Sequence, residues 1–408
     1  MRRAALVLAC VVGFVGVTMS AEQADTSKAL AIHKRVLTID THDDIPFNFA
    51  TPEVDPGVRG ERQVDLPKMR EGGLDVAFFV VFVGQEARTP EAYEKAKADA
   101  MTKFDAIHRL TEKMHPDTIG LASTPADVER IHKSGKLVAC IGIENGFVIG
   151  KDLSLIKKYH SLGARYITLA HGGHNDIADS ATPREGEPQA EHNGLSAFGK
   201  EVVAEMNRVG VMVDISHISK KAAMDAMAAS KAPVIASHSG ARAVNDHPRN
   251  LDDEALMALK KNGGVAQAVA LDGFVKNPTP EKRAALDALR KELGITGFGR
   301  NGVPSDKRAE YDRRRAEIDA KWPPANVQDF VNHIDHMVKL IGIDHVGISS
   351  DFDGGGGIVG WNDASQTANV TIELVKRGYT EAQIAKLWGG NVLRVWRAVE
   401  KAQSRATN

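Results

Sequence analysis

The sequence predicts a closed (β/α)8 barrel: eight parallel strands, each followed by a helical crossover, with a charged helical insertion between strands seven and eight. Three observations predict it. Short apolar runs alternate with amphipathic helical patterns along most of the chain. The strand-like runs are apolar throughout, as strands covered on both faces must be. They number eight, which suits closure better than an open doubly wound sheet. A chain of 408 residues with 43% hydrophobic content has apolar material enough for one such core.

In chain order, residues 1–21 read as a secretory signal peptide. Arg2 and Arg3 form its positive start, Ala4–Val17 its apolar run, and Ser20-Ala21 the small pair before polar Glu22-Gln23. The run is short for a span of about 20 residues. Val7-Leu8-Ala9-Cys10 weakly resembles a lipoprotein cleavage site, but the apolar run continues past Cys10. Residues 22–408 are expected to form the single barrel domain. Its strands are read at Val36–Asp40, Asp75–Val83, Leu137–Ile143, Arg165–Ala170, Val211–Ser216, Pro233–Ser237, Gly264–Ala270 and His345–Ser350. Helical patterns fill the intervals at Glu91–Met114, Ser154–Ser161, Gly199–Arg208, Ser219–Ala229, Asp253–Lys260 and Val327–Ile341. Two segments break the rhythm. Phe47–Pro67 reads as a long loop after the first strand. The insertion, about 277–324, carries helices near Pro280–Leu293 and Ser305–Lys321 and is either a solvated excursion or a lid on the active face.

Balanced charge, with 52 Lys+Arg against 53 Asp+Glu, argues against a nucleic-acid or acidic-membrane partner. Cys10 leaves with the leader, and Cys140, alone in an apolar strand, is expected to be a small buried hydrophobe. Export without a disulfide framework fits a bacterial periplasm, and polar Ala402–Asn408 offers no lipid-anchor signal or stable membrane anchor.

The chemistry lies in where histidines and acids fall. His42 and Asp44 follow the first strand and Glu144 the third. His171, His217 and His238 follow the fourth, fifth and sixth, and Asp351 and Asp353 the eighth. Strand C-termini in this fold converge on one mouth. Singly, a histidine after a strand is more often a satisfied structural residue, and an aspartate there is often a helix cap. Jointly, so many buried charges at one mouth would repel one another or stand unpaired, and a pair of divalent cations resolves the conflict. Imidazole and carboxylate without thiolate suit zinc, with manganese or cobalt as alternatives. Ligand arithmetic gives His42 and Asp44 to one ion, His217 and His238 to the other, and Glu144 as the bridge. A bridging water, its pKa lowered toward neutrality, becomes the hydroxide nucleophile for amide or ester hydrolysis.

At these residues the chain resembles the membrane dipeptidase (renal dipeptidase) family of metallopeptidases. The resemblance is carried by Thr41-His42-Asp43-Asp44-Ile45-Pro46, Ile141-Gly142-Ile143-Glu144-Asn145-Gly146, Thr168-Leu169-Ala170-His171 and Gly194-Leu195-Ser196-Ala197-Phe198-Gly199-Lys200. It continues through Val213-Asp214-Ile215-Ser216-His217, Ser237-His238-Ser239, Pro248-Arg249-Asn250, Ser350-Asp351-Phe352-Asp353-Gly354 and Gly389-Gly390-Asn391. It implies a metal-dependent-hydrolase barrel, two Zn2+ on His42, Asp44, Glu144, His217 and His238, and dipeptide substrates, L-D pairs included. A homodimer is an admissible assembly. It further implies that His171 polarises the substrate carbonyl, that Arg249 pairs with the substrate carboxylate, and that Asp351 acts as general base and then acid. His174 and Asp176 are read as shaping the pocket, and Asp353 as supporting the ligands. Relatives often carry a tyrosine after the seventh strand. Here that stretch is Val269-Ala270-Leu271-Asp272, and Asp272 is expected to bias substrate choice. Barrel hydrolases of cyclic amides or lactones are the alternative, disfavoured because they typically open with His-x-His. A retired, non-catalytic scaffold is disfavoured because all five ligands are present.

Overall fold

The structure, a computed structural model, describes residue 23 and residues 25–296 and 302–406. The expected leader lies outside them. The strands are β1 (Ile39–Asp44), β2 (Val76–Phe82), β3 (Ile119–Leu121), β4 (Leu137–Glu144), β5 (Ala164–Thr168), β6 (Met212–Asp214), β7 (Ile235–Ala236), β8 (Val265–Val269) and β9 (Val346–Ser349). They pair in parallel in the order β1-β2-β4-β5-β6-β7-β8-β9. All eight expected strands are present. The short β3, which periodicity did not disclose, lies off this path along Leu137–Ala139.

The first strand differs most from its sequence reading: it runs to Asp44 rather than stopping at Asp40. Its register against β2 shifts between Asp40 and Asp43, so one extra residue bulges at Thr41-His42. Bulges re-aim side chains and concentrate beside active sites. His42 is therefore inside a strand, not after one. β1 and β9 meet at the far edge of the barrel. There the Asp44 N–H donates to the Phe352 carbonyl at 2.9 Å, and Asp40 Oδ1 accepts from the N–H groups of Ser350 at 3.0 Å and His42 at 3.2 Å.

Inward residues of the strands, among them Ile39, Val76, Phe78, Cys140, Tyr166, Met212 and Val265, form one apolar cluster with Val392, Val395, Trp396 and Val399 of the C-terminal helix Asn391–Ala406. This plugs the N-terminal end of the barrel and leaves the C-terminal end for polar groups. Cys140 is fully buried there, as expected, and burial pushes its thiol pKa up. A second, larger cluster packs the outer strand faces against the helices.

Helix Val327–Ile341 begins with a capping box on Asn326 and Asp329. The long helix Pro90–Arg109 continues as a π-helical turn, Leu110–Met114, that the apolar pattern does not separate. In the insertion, helices Pro280–Glu292 and Ser305–Lys321 share a small core of Leu289, Ile295, Val303 and Tyr311. Arg308 reaches from it to Glu61 in the loop after β1 at 3.0 Å, so the insertion borders the active face. Among the described residues no helix is long and apolar enough to cross a membrane.

Asp40→Ala strips the acceptor from two buried N–H groups at the barrel seam. The expected loss is about 2–3 kcal/mol of unfolding free energy, read from urea midpoints. An unchanged midpoint would refute the closing role.

Candidate metal centre

The C-terminal mouth gathers His42 and Asp44 from β1, Glu144 from the end of β4, and His171, His217, His238 and Asp351 from the turns after β5, β6, β7 and β9. Two of these turns hold their residue in the left-handed region: His217 at φ 68° and Asp351 at φ 61°. Neighbouring Asn145 (φ 80°) and Asp353 (φ 61°) do the same. L residues rarely adopt this backbone, and such strain concentrates at functional sites. It turns side chains back over the barrel axis instead of letting them follow the next helix outward.

Glu144 sits between two groups of donors. Its Oε2 lies 3.5 Å from His42 Nε2. Its Oε1 lies 2.9 Å from His217 Nε2, 3.5 Å from His238 Nε2 and 3.7 Å from His171 Nε2. His42 Nε2 also faces Asp44 Oδ2 at 3.6 Å and Asp351 Oδ1 at 3.9 Å, yet it is buried without a hydrogen-bond partner. Donors each about 2.0–2.2 Å from one tetrahedral ion stand about 3.3–3.6 Å apart. The His42 spacings match that geometry better than they match hydrogen bonds. The residues therefore fit divalent cations, in groups of His42, Glu144 and His238, of Glu144, His171 and His217, and of His42, Asp44 and Asp351.

The protein also fixes which imidazole nitrogen faces this centre. The Tyr166 hydroxyl donates to the Thr41 carbonyl at 2.9 Å, so toward His42 Nδ1, at 3.0 Å, it offers a lone pair. His42 must then donate from Nδ1, and in its neutral form it presents a bare Nε2. The same logic holds at His238. Ser237 Oγ donates to Asp214 Oδ2 at 2.7 Å and accepts from His238 Nδ1 at 2.8 Å. Such outer hydrogen bonds set tautomer and ring orientation in metal sites. Tyr166 escaped the sequence reading because it is one more aromatic in an apolar strand. Its trace was Gly142, its cross-strand partner on β4. A Cβ on Gly142 would stand 2.0 Å from the Tyr166 ring, and a glycine inside a strand marks such a close approach.

Electrostatics follow from burial. For His42, burial opposes a charge, but Glu144 and Asp44 raise the pKa well above the usual imidazole value. The carboxylates demand positive charge at that point, and a divalent cation supplies it. Burial, with Arg249 and His171 adding to it, holds His217 well below its ordinary value; burial, with His42 and His217, does the same for His238. Both are therefore neutral, as metal ligands must be. Burial would raise Glu144, but His42, His171 and His217 hold it well below the carboxylate range. Asp351 is pushed well above that range, first by burial and then by Asp44 and Glu144, with His42 opposing.

Arg249 lies beside this centre, 4% exposed. Its Nη2 donates to the His238 carbonyl at 3.3 Å, its Nε has no partner, and Phe274 stacks on it at 5.3 Å. Asp252 and Asp253, the surface partners the sequence offers it, bind Lys220 and His336 instead. Among the described residues no carboxylate pairs with it. Burial lowers its pKa to about 10, with Glu144 and Asp351 acting against that shift.

Three residues, Asp272 read as biasing substrate choice and His174 and Asp176 read as shaping the pocket, have partners within the protein. Asp272 accepts from the Ala325 N–H at 2.7 Å and pairs with Arg315 at 3.4 Å, so it anchors the insertion. Phe274, not Asp272, is the residue after β8 that reaches Arg249. His174 accepts from the Ser180 N–H at 3.0 Å and bonds the Pro188 carbonyl at 2.8 Å, and Asp176 bonds the Tyr93 hydroxyl and faces Lys151 at 3.6 Å. Both hold the 171–196 loop. Asp353 ties the turn after β9 to the loop after β1, pairing with Arg62 at 3.0 Å and accepting from the Gln63 N–H at 3.1 Å.

With this geometry in hand, comparisons with known proteins are specific. The profile of the family described as "Membrane dipeptidase (Peptidase family M19)" matches residues 26–408. Dipeptidase tcpJ of Claviceps purpurea is 33% identical over 342 residues, covering 83% of this chain and 69% of that one. The crystal structure of the probable dipeptidase PvdM from Pseudomonas aeruginosa is 34% identical, with a TM-score of 0.82, over 93% of this chain and 99% of that one. A metallo peptidase from Rhodobacter sphaeroides, liganded with a phosphinate mimic of L-Ala-D-Ala, shares the fold at 23% identity and a TM-score of 0.70, over 89% of this chain and 99% of that one.

Gly142→Ala is expected to displace the Tyr166 ring and cost about 1–3 kcal/mol of stability, measured by chemical denaturation. A variant as stable as the parent, with Tyr166 in place, would overturn the close-approach argument.

Proposed function

The chain belongs to the membrane dipeptidase family of metallopeptidases, and we propose that it hydrolyses the single peptide bond of dipeptides, L-D pairs included, at a pair of divalent cations, zinc first among them. Its standing as a peptide-bond hydrolase of the dipeptidase kind follows from the family. The number of cations, their identity and the residue roles are the proposal. One observation carries it: the two oxygens of Glu144 are divided, Oε2 toward His42 and Oε1 toward His217 and His238. A carboxylate placed so is suited to bridge two ions, one with His42 and Asp44, the other with His217 and His238.

When bound, such ions supply Lewis acidity toward a carbonyl and lower the pKa of a coordinated water toward neutrality. The remaining work falls to side chains. Arg249 pairs with the C-terminal carboxylate of the dipeptide, a planar anion that its fork-shaped guanidinium matches. This explains a buried cation without a carboxylate partner. His171, at the rim with its side chain 32% exposed, donates to the carbonyl oxygen as negative charge develops there. Asp351, whose Oδ1 faces His42 and whose backbone is held at positive φ, takes a proton from the attacking water and delivers it to the leaving amine. The leader pattern of residues 1–21 supports an exported, periplasmic site of action, with residues 22–408 as one catalytic domain.

Glu144→Ala is expected to abolish turnover of L-L and L-D dipeptides and to lower bound metal, measured by elemental analysis. Asp351→Asn is expected to keep its metal while losing about 10²–10⁴-fold in kcat, the span of general acid–base catalysis. Parent-like rates in either variant would refute that residue's role. Tyr166→Phe leaves His42 Nδ1 without its acceptor and is expected to weaken metal binding about 10–100-fold, read by chelator competition. Unaltered affinity would show that the tautomer lock is dispensable.

A further inference from the structure

A large cavity, about 780 Å³, opens from the metal centre at Asp44 and Phe82 and runs under the loop after β1 and the insertion. Its wall carries Lys103, which projects from the inner face of helix Pro90–Arg109 and is only 4% exposed. Among the described residues Lys103 makes no hydrogen bond and no ion pair. Its ammonium stands between two aromatic rings, 5.3 Å from the centroid of Phe47 and 5.5 Å from that of Phe82. The other cations on this wall are already engaged: Arg62 with Asp353 at 3.0 Å, Arg308 with Glu61 at 3.0 Å and Arg59 with Glu71. So are the acids nearest the floor, Asp55 with His115 at 2.6 Å and Asp65 with Lys68 at 3.4 Å.

A lysine is almost never buried without a partner, because an unpaired ammonium in a dry setting is costly. The cation–π contacts offset only part of that. Burial accordingly lowers the Lys103 pKa, and the carboxylates that act most strongly against this are Asp44 and Glu144. Under the proposed function those two carboxylates are ligands whose charge the cations neutralise. Lys103 is then left facing a polar cavity with no counter-charge of its own.

We propose that Lys103 is a specificity-determining residue that selects dipeptides whose amino-terminal residue carries a carboxylate side chain, glutamyl or aspartyl. This rests on the dipeptidase reading and deepens it. The polarity of the substrate assigns the position. Arg249 lies on the His238 side of Glu144 and takes the carboxyl-terminal end. The cavity leaves the centre past Asp44 and Phe82, at the ends of β1 and β2, and β2 lies four places from β7 in the eight-strand order, across the mouth from the Arg249 turn, where the amino-terminal residue would lie. Phe82 joins the cavity to the centre: its ring lies 4.8 Å from that of His171, and the Lys103 ammonium lies 5.5 Å from its centroid. The ammonium, little exposed between the two rings, is partly desolvated, which strengthens a charge-assisted bond to an entering carboxylate.

The test compares L-Glu-L-Ala, its neutral isostere L-Gln-L-Ala, and L-Leu-L-Ala on the zinc-loaded full chain. The parent is expected to favour Glu over Gln by about tenfold or more in kcat/KM, the scale of a hydrogen bond to a charged group. Lys103→Met is expected to bring that ratio close to one, and Lys103→Arg to retain it. Lys103→Glu is expected to turn preference toward L-Lys-L-Ala. A parent without the Glu preference overturns the proposal, as does a Lys103→Met protein that keeps it. Should Lys103→Met fail to fold, the Arg and Glu variants decide between the same two outcomes. Turnover of Leu-Ala by the parent with no Glu preference sinks the subsite and leaves the dipeptidase reading standing. No turnover of any of the peptides sinks both.

Discussion

The carboxylate of Glu144 is the point on which the mouth of the barrel turns. It is buried and faces four imidazoles, which share its two oxygens unequally. An isolated carboxylate in such a place would take up a proton or drag in water. Held between histidines it stays ionised, and its charge in turn dictates what the surroundings must be. Neutral His217 and His238, a His42 poised for positive charge and an Asp351 that resists ionisation all follow from one fixed anion in a confined space. The donor spacing around His42 suits metal coordination because carboxylates and imidazoles so close together are otherwise mutually costly.

That arrangement is built from the floor upward. The ring of Trp396, from the last helix, lies 6.0 Å from Phe78, which lies 5.6 Å from Tyr166, which stacks toward His42 at 6.4 Å. This aromatic column fills the barrel interior and ends in a hydroxyl placed to orient the His42 imidazole. Packing energy is thereby converted into chemical precision: the apolar half of the interior holds Tyr166 still, and Tyr166 holds the imidazole in one tautomer. The bulge in β1 and the left-handed backbones of His217 and Asp351 perform the complementary task of bringing polar side chains onto the axis. Their strain is carried by a fold whose other strand pairs, apart from a register shift between β4 and β5, keep an even register.

The segments outside the barrel border the approach to the centre. The loop after β1 and the charged insertion meet through Arg308 and Glu61 and roof the cavity beside Asp44. Asp272 secures the insertion through the Ala325 N–H and Arg315. The barrel thus positions the polar mouth, and the loop after β1, Lys103 and Arg308 line the cavity beside it.

Alternating apolar runs were enough to determine the parallel barrel, because strand burial on two faces and helical crossovers leave a local, periodic trace in the chain. The candidate site was legible in the same way, since strand ends converge by topology and the sequence placed His42, Glu144, His217 and His238 near such ends, where the structure brings them together. What the chain alone did not disclose depends on neighbours distant in sequence. His42 is aimed by a bulge defined against β2, and its tautomer by a tyrosine that only a glycine on the next strand admits. His174, Asp176 and Asp272 looked functional because they are polar and near strand ends, yet tertiary partners occupy them. Lys103 looked like one more charge on a long helix. Only the packed structure shows it turned inward between two rings without a counter-ion, because burial and charge pairing are properties of the assembled fold and not of the local chain.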